Sequence, residues 1–126
     1  MKTANYWPNL SALEAARAAG ADEALLFHPD GTLISASMAN VFLVLEDGTV
    51  ATPPLESGAR AGVVREWVLA RQPVEERHLE RPVLSRVREC FLTSSWRGIP
   101  PVHRLNSRPL ERTVGEALRT TFETRA

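Results

Sequence analysis

Two short stretches of the chain carry residue types that could hold an anion. The first is Arg60-Ala61-Gly62-Val63-Val64. Glycine permits a close backbone approach, and the apolar run after it reads as a helix start, where the first N–H groups lack partners within the helix. The N–H groups of Val63 and Val64 would then present a natural anion site, favoured by the helix dipole. The second stretch is Thr93-Ser94-Ser95, three hydroxyls directly after the apolar run Cys90-Phe91-Leu92. Hydroxyls and turn N–H groups in that position can hold a phosphate. A plainer reading stands beside each: a glycine before a helix also serves packing, and Thr-Ser-Ser also makes a turn. The three histidines, His28, His78 and His103, lie far apart without the paired spacing of a zinc site, so they read as surface or turn residues and no metal is expected.

The bulk properties narrow the setting. The 126 residues suit one domain, and 44% apolar against 24% charged is an ordinary globular balance. Lysine plus arginine equals aspartate plus glutamate at 15 each, so no bulk charge draws the chain to nucleic acid or to an anionic membrane. No apolar run approaches a membrane span, and no charged segment followed by an apolar one suggests a secretory leader. The single cysteine, Cys90, excludes an internal disulfide framework and fits a reducing cytoplasm.

The two anion-binding stretches need elements to position them. Residues 8–20 carry Leu10, Leu13, Ala16 and Ala19 on a helical pattern, opened by Pro8 and Asn9 and stopped by Gly20. Residues 24–27 predict a buried strand, His28-Pro29-Asp30-Gly31 a turn, and residues 32–34 the returning strand. Glu46-Asp47-Gly48 between the apolar runs 41–45 and 49–52 is a hairpin signal, ended by Pro53 and Pro54. After a loop over 56–61, Gly62 opens a helix with Val63, Val64, Trp67, Val68 and Leu69 on one stripe, and Pro73 stops it. Residues 74–79 predict a strand, and Arg81-Pro82-Val83-Leu84 begins a short helical turn ending near Glu89. Residues 90–93 form a further strand, and 99–102 are extended because prolines and the residues before them disfavour helix. Thr113-x-x-Glu116 predicts a capping box for a last helix carrying Val114, Ala117, Leu118 and Phe122. About six strands and three main helices make a single mixed α/β domain.

Several segments, in order, carry a resemblance. Lys2-Thr3-Ala4-Asn5-Tyr6, the loop from Gly31 to Asn40-Val41-Phe42, Thr52-Pro53-Pro54 followed by Gly62-Val63-Val64-Arg65, Glu89-Cys90-Phe91 with Thr93-Ser94-Ser95, and Ile99-Pro100-Pro101-Val102 form the set. Together they resemble the fold-type IV pyridoxal-phosphate enzymes, which include class IV and branched-chain aminotransferases and aminodeoxychorismate lyases. The resemblance implies that residues 1–126 form the family's C-terminal α/β pseudo-barrel domain, a single cofactor-binding unit without a counterpart of the family's N-terminal domain. It further implies pyridoxal 5'-phosphate as cofactor and Lys2 as the Schiff-base lysine that then shuttles protons. Tyr6 corresponds to a position that hydrogen-bonds the cofactor's phenolic oxygen. Val63 and Val64 correspond to the pair whose backbone N–H groups hold the phosphate, Ser94 and Ser95 to a second phosphate-binding pair, and Asn40 to an asparagine near the cofactor.

The chain departs from the family at Ser35, where the family carries glutamate. That carboxylate keeps the pyridine nitrogen protonated and makes the ring a stronger electron sink, whereas serine can hydrogen-bond the nitrogen without neutralising a charge. The resemblance therefore implies an aminotransferase or an aminodeoxychorismate lyase-like enzyme for an amino-acid-like small molecule, with Ser35 tilting it towards lyase chemistry or a weak aminotransferase. It also implies self-association into a homodimer or association with an N-terminal domain. A non-catalytic remnant or scaffold that keeps the fold and at most binds a phosphate is the alternative.

Overall fold

In a computed structural model, residues 18, 23–59, 61–105 and 108–125 are described. The helix expected over residues 8–20 therefore lies outside the described residues, apart from Ala18. β1 (Leu25–Phe27) and β2 (Leu33–Ala36) form an antiparallel hairpin. Its turn is the expected one: Gly31 donates to His28 O at 2.9 Å, with φ 94° that glycine adopts without strain. β3 (Asn40–Leu45) and β4 (Val50–Thr52) make the second hairpin around Asp47-Gly48. There the Asp47 carboxylate accepts the Thr49 N–H at 2.9 Å, and that hydrogen bond holds its pKa below the ordinary carboxylate range.

The main sheet has five strands in the order β5-β4-β3-β6-β7, with β5 at Glu75–Glu76, β6 at Val87–Thr93 and β7 at Pro101–Val102. β3 and β6 are the long central pair, in antiparallel register from Asn40 opposite Thr93 to Leu45 opposite Val87. A small pair, β8 (Arg104–Leu105) and β9 (Arg108–Pro109), precedes the last helix. α1 (Val63–Arg71) and α2 (Thr113–Glu123) pack on one face of the sheet.

The two-residue periodicity of a strand divides the core in two. On the helix side Phe42, Val44, Val50 and Phe91 meet Val64 and Val68 of α1 and Leu118 of α2. Phe42 and Phe91, opposite one another in the register, stack with ring centroids 5.0 Å apart. On the other side Val41, Leu43, Cys90 and Leu92 pack against Leu33 and Ala36 of the first hairpin.

Three expectations change. The strand over 74–79 shrinks to β5, whose exposed Glu75 and Glu76 pair in parallel with Ala51 and Thr52. The helical turn after Arg81 is a 3₁₀ segment, Arg81–Arg86, and it ends well before Glu89 because Val87, Cys90 and Leu92 belong to the sheet. The capping box does not form. α2 has no side-chain cap of its own at Arg112, and the carboxylate of Glu89, reaching over from β6, accepts the N–H groups of Val114 at 3.0 Å and Gly115 at 2.7 Å. A tertiary contact has replaced a local one.

Cys90 is free and buried, and loss of solvent, reinforced by the neighbouring negative charge of Glu89, pushes its thiol up to about 12. The folded chain should therefore not react with a thiol reagent at pH 8, while the guanidinium-denatured chain reacts at once; rapid labelling of the native state would refute the burial. The thiol's folded value lies above its unfolded one, so this group contributes stability that is intact at neutral pH. That contribution declines as pH rises past 9.0 towards 12.

Candidate functional site

Of the residues singled out in the sequence, Asn40, Val63, Val64, Ser94 and Ser95 gather at one end of the main sheet. Asn40 opens β3 and lies opposite Thr93, the last residue of β6. By strand alternation both side chains lie on the side of the Phe42–Phe91 stack, which is the side α1 covers. Gly62 caps α1 at this same end: a Cβ built on it would lie 3.5 Å from Asn40 Nδ2.

α1 begins at Val63 with no side-chain cap on its N-terminus. The N–H of Glu66 closes the first turn on Gly62 O at 3.0 Å, which leaves the earlier N–H groups as the helix's free donors. Val64 is buried in the core and fixes the helix on the sheet, whereas Val63 is 78% exposed at the open end. Gly62 itself has φ −147°, extended backbone that any residue adopts, and its absent Cβ would make only ordinary contact. Neither backbone strain nor internal packing demands glycine there.

The hydroxyl run continues β6 into a tight loop. Ser94 and Gly98 exchange backbone hydrogen bonds at 2.9 and 2.7 Å, closing the loop around Ser95, Trp96 and Arg97. The Ser94 hydroxyl accepts the N–H groups of Trp96 and Arg97 at 3.2 and 3.3 Å, so it stabilises the turn and keeps its own proton to donate. Ser95 and Trp96 are exposed on the loop.

Ser35 lies in β2, opposite Leu26, and its hydroxyl donates to Ala36 O at 2.9 Å. The turn that carries the chain from β2 to Asn40 is closed by Ala36 N–H donating to Ala39 O at 2.9 Å. Ser37 ties it to the start of β1, its N–H donating to Ala24 O and its hydroxyl to the Glu23 carboxylate. Lys2 and Tyr6 lie outside the described residues.

The histidines serve the scaffold. His28 Nε2 donates to Ser57 O at 2.6 Å, and exposed His78 lies 3.3 Å from Glu56. Among the described residues no group of three His, Cys, Asp or Glu side chains could hold a metal ion, and no helix is long and apolar enough to cross a membrane.

Sequence reasoning named two residues here, Thr93 and Arg65, without anticipating how deeply they are buried. Thr93 Oγ1 is buried without a hydrogen-bond partner. Arg65 is 1% exposed, with Nη2 donating to Pro53 O at 3.2 Å and to Glu76 at 2.9 Å, which binds α1 to the end of β4 and to β5. The signal for Arg65 was a charge on the buried stripe between Val64 and Val68; Thr93 was marked only as part of the Thr93-Ser94-Ser95 hydroxyl run.

The amino-transferase class IV family matches residues 1–105, and the chain belongs to that family. A probable branched-chain-amino-acid aminotransferase of Thermotoga maritima is 42% identical over 89 residues, which is 67% of this chain and 32% of that protein. The branched-chain aminotransferase of the archaeon Thermoproteus uzoniensis, solved with norvaline, superposes with a TM-score of 0.87 at 30% identity, covering 94% of this chain and 41% of that one. A Legionella pneumophila protein bearing the name of a 4-amino-4-deoxychorismate lyase superposes with a TM-score of 0.77 at 30% identity, covering 85% and 41%. The fold is thus that of the fold-type IV pyridoxal-phosphate enzymes, and the chain spans about a third of the length of the curated relatives it matches.

Proposed function

We propose that this chain is the cofactor-bearing part of a pyridoxal-phosphate-dependent class IV enzyme, an aminotransferase or an aminodeoxychorismate lyase-like enzyme acting on an amino-acid-like substrate. The observation that carries this reading is the meeting of the uncapped start of α1 with Asn40 and the Thr93-Ser94-Ser95 segment at one sheet end, in a chain of this family. The residues fit the group: the free donors of Val63 and Val64 suit a phosphate, and Gly62 leaves the space beside Asn40 open although nothing inside the chain requires glycine.

When bound, pyridoxal 5'-phosphate supplies an electrophilic carbonyl and a ring that takes up electrons from the substrate carbon. The chain's residues have three tasks. The Lys2 amine is the nucleophile that anchors the cofactor and then carries a proton to and from the substrate carbon. The backbone of Val63 and Val64, with the Ser94-Ser95 loop, would hold the phosphate. Tyr6 would hydrogen-bond the cofactor's phenolic oxygen, Asn40 would lie near the cofactor, and Ser35 stands where the family carries the carboxylate for the ring nitrogen. Its proton is already given to Ala36 O, so it offers that nitrogen only lone pairs unless the bond breaks. Exposed Trp96 and Val63 rim the same end, an apolar border suited to a second copy of the chain or to a further domain that completes the substrate pocket.

Lys2 is the only lysine in the sequence, which makes the test clean. The chain incubated with pyridoxal phosphate and reduced with borohydride should carry one adduct at Lys2, mapped by mass spectrometry, and Lys2→Ala should carry none there. An unmodified wild-type chain, or labelling confined to the α-amino group of Met1, would overturn the proposal.

A further inference from the structure

Positive charge is concentrated at the end of the main sheet away from the Asn40–Gly62 end. Residues 81–112 hold seven arginines against two glutamates, whereas residues 21–80 hold ten acidic residues against four arginines. The fold gathers five of those seven arginines. Arg86 and Arg88 stand at the start of β6, and Arg104, Arg108 and Arg112 come to the same place through β8 and β9. The Arg108 guanidinium fixes the junction, donating to Val87 O at 3.1 Å and to Leu84 O. All five side chains are exposed, and their charge is hardly compensated. Glu89 is buried on the N–H groups of α2, and Glu111 reaches only Arg88, at 3.5 Å. Arg108 contacts neutral carbonyls, and Arg112 donates to His103 Nε2 at 3.1 Å. Among the described residues Arg86 and Arg104 have no hydrogen-bond or ion-pair partner for their side chains.

We propose that this arginine cluster is a docking surface for a short acidic segment of a partner protein, rich in aspartate or glutamate. Like charges held side by side repel one another, and a partner that brings the missing counter-charges relieves that repulsion. Guanidinium groups pair with carboxylates through two parallel hydrogen bonds, and Arg86 and Arg104 have all their donors to give. Other anionic partners fit less well. Residues 81–88 and 103–112 contain no Phe, Tyr or Trp, so the bases of a nucleic acid would find nothing to stack on. A long polyanion running past the patch would also meet the chain's acidic half, beginning at exposed Glu46 and Asp47, which directly follow Leu45 opposite Val87. A membrane surface would want apolar anchors, and exposed Met38, Leu55, Val63 and Trp96 all belong to the other end of the sheet. The patch is independent of the proposed cofactor site, since β6 runs about 20 Å from Val87 to Thr93.

The whole chain should be titrated at low salt with hexaglutamate, with a short oligouridylate and with phosphatidylglycerol vesicles, binding being followed by NMR amide shifts. Hexaglutamate should shift the amides of Arg86, Arg88 and Arg104 and leave those of Val63 and Val64 in place. The double variant Arg86→Ser, Arg104→Ser should bind it about tenfold more weakly, the effect of losing two exposed charge-assisted contacts. Arg86→Lys with Arg104→Lys should lose only about threefold, because the charge survives where the planar fork does not. Raising the salt should weaken wild-type binding several-fold. The serine variant should melt no lower than wild type, since neither side chain has a partner to lose. Equal hexaglutamate affinity in wild type and the serine variant would overturn the proposal. So would the absence of shifts at Arg86 and Arg104, tighter binding of oligouridylate or vesicles than of hexaglutamate, or a lower melting temperature in the serine variant.

Discussion

Glu89→Ala should destabilise the chain by about 3 kcal/mol, a large part of the roughly 5–15 kcal/mol available to a domain of this kind. The Glu89 carboxylate is 1% exposed and holds both Val114 N–H and Gly115 N–H. Each bond joins an ionised acceptor to a helix N-terminus, where the dipole adds to the attraction. Alanine leaves both donors in a sheltered place without partners and opens a void beneath them. α2 cannot settle inward to close that void. A Cβ on Gly115 would already lie 3.2 Å from Phe91 Cβ, so helix and strand are in contact there. Glu89→Gln keeps one acceptor oxygen but turns an N–H₂ towards a second donor, and should cost about half as much. Urea unfolding measures both losses. A loss below about 1 kcal/mol in Glu89→Ala would mean that α2 is held by its apolar face alone.

The second large effect is expected at Arg65, where Arg65→Ala should cost about 3 kcal/mol and Arg65→Met roughly 2. The guanidinium is enclosed, yet its carboxylate partners are open to water: the side chains of Glu76 and Glu66 are 46% and 60% exposed. Those carboxylates rehydrate when the arginine is removed, so the loss is smaller than for a fully enclosed pair. What does not recover is the bond to Pro53 O and the packing of the arginine stem between α1 and the end of β4. Methionine restores most of the packing and none of the hydrogen bonds, so the two variants separate these contributions. Glu76→Gln should change stability by only about 0.5 kcal/mol, as an exposed partner does. If Glu76→Gln equalled Arg65→Ala, the ion pair rather than the enclosed stem would hold α1 in place.

The elements legible in the sequence were those fixed by local chemistry. His28-Pro29-Asp30-Gly31 and Asp47-Gly48 specify turns through proline and glycine dihedrals, and the structure has both turns. Gly62 and Pro73 bracketed α1, and the apolar alternation of residues 41–45 marked the centre of the sheet. What was not legible depended on residues distant in the chain. Thr113 and Glu116 have the spacing of a capping box, yet Glu89, more than twenty positions earlier, wins the same N–H groups because the sheet presents it there already desolvated. Residues 74–79 have strand-like composition, but their partner β4 offers only Ala51 and Thr52, and pairing ends with them. At the candidate site, motif matching found Asn40, Val63, Val64 and the serine loop. It picked out Thr93 only as part of that hydroxyl run and could not show that its Oγ1 is buried without a partner, because a threonine closing an apolar strand looks the same whether its hydroxyl is satisfied or not.

The ends of the strand order govern how this chain can meet other copies of itself. β5 and β7 border the main sheet, and each is two residues long. One carries two exposed glutamates, and the other begins at Pro101, which has no N–H to offer. A foreign strand would find almost no backbone ladder to extend on either side, and on one side it would meet two exposed charged side chains already paired with Arg65 and Arg77. Short, charged or proline-blocked margins are how sheets resist amyloid-like stacking. Assembly is thereby turned away from the rims and towards side-chain faces, where shape and not backbone selects the partner.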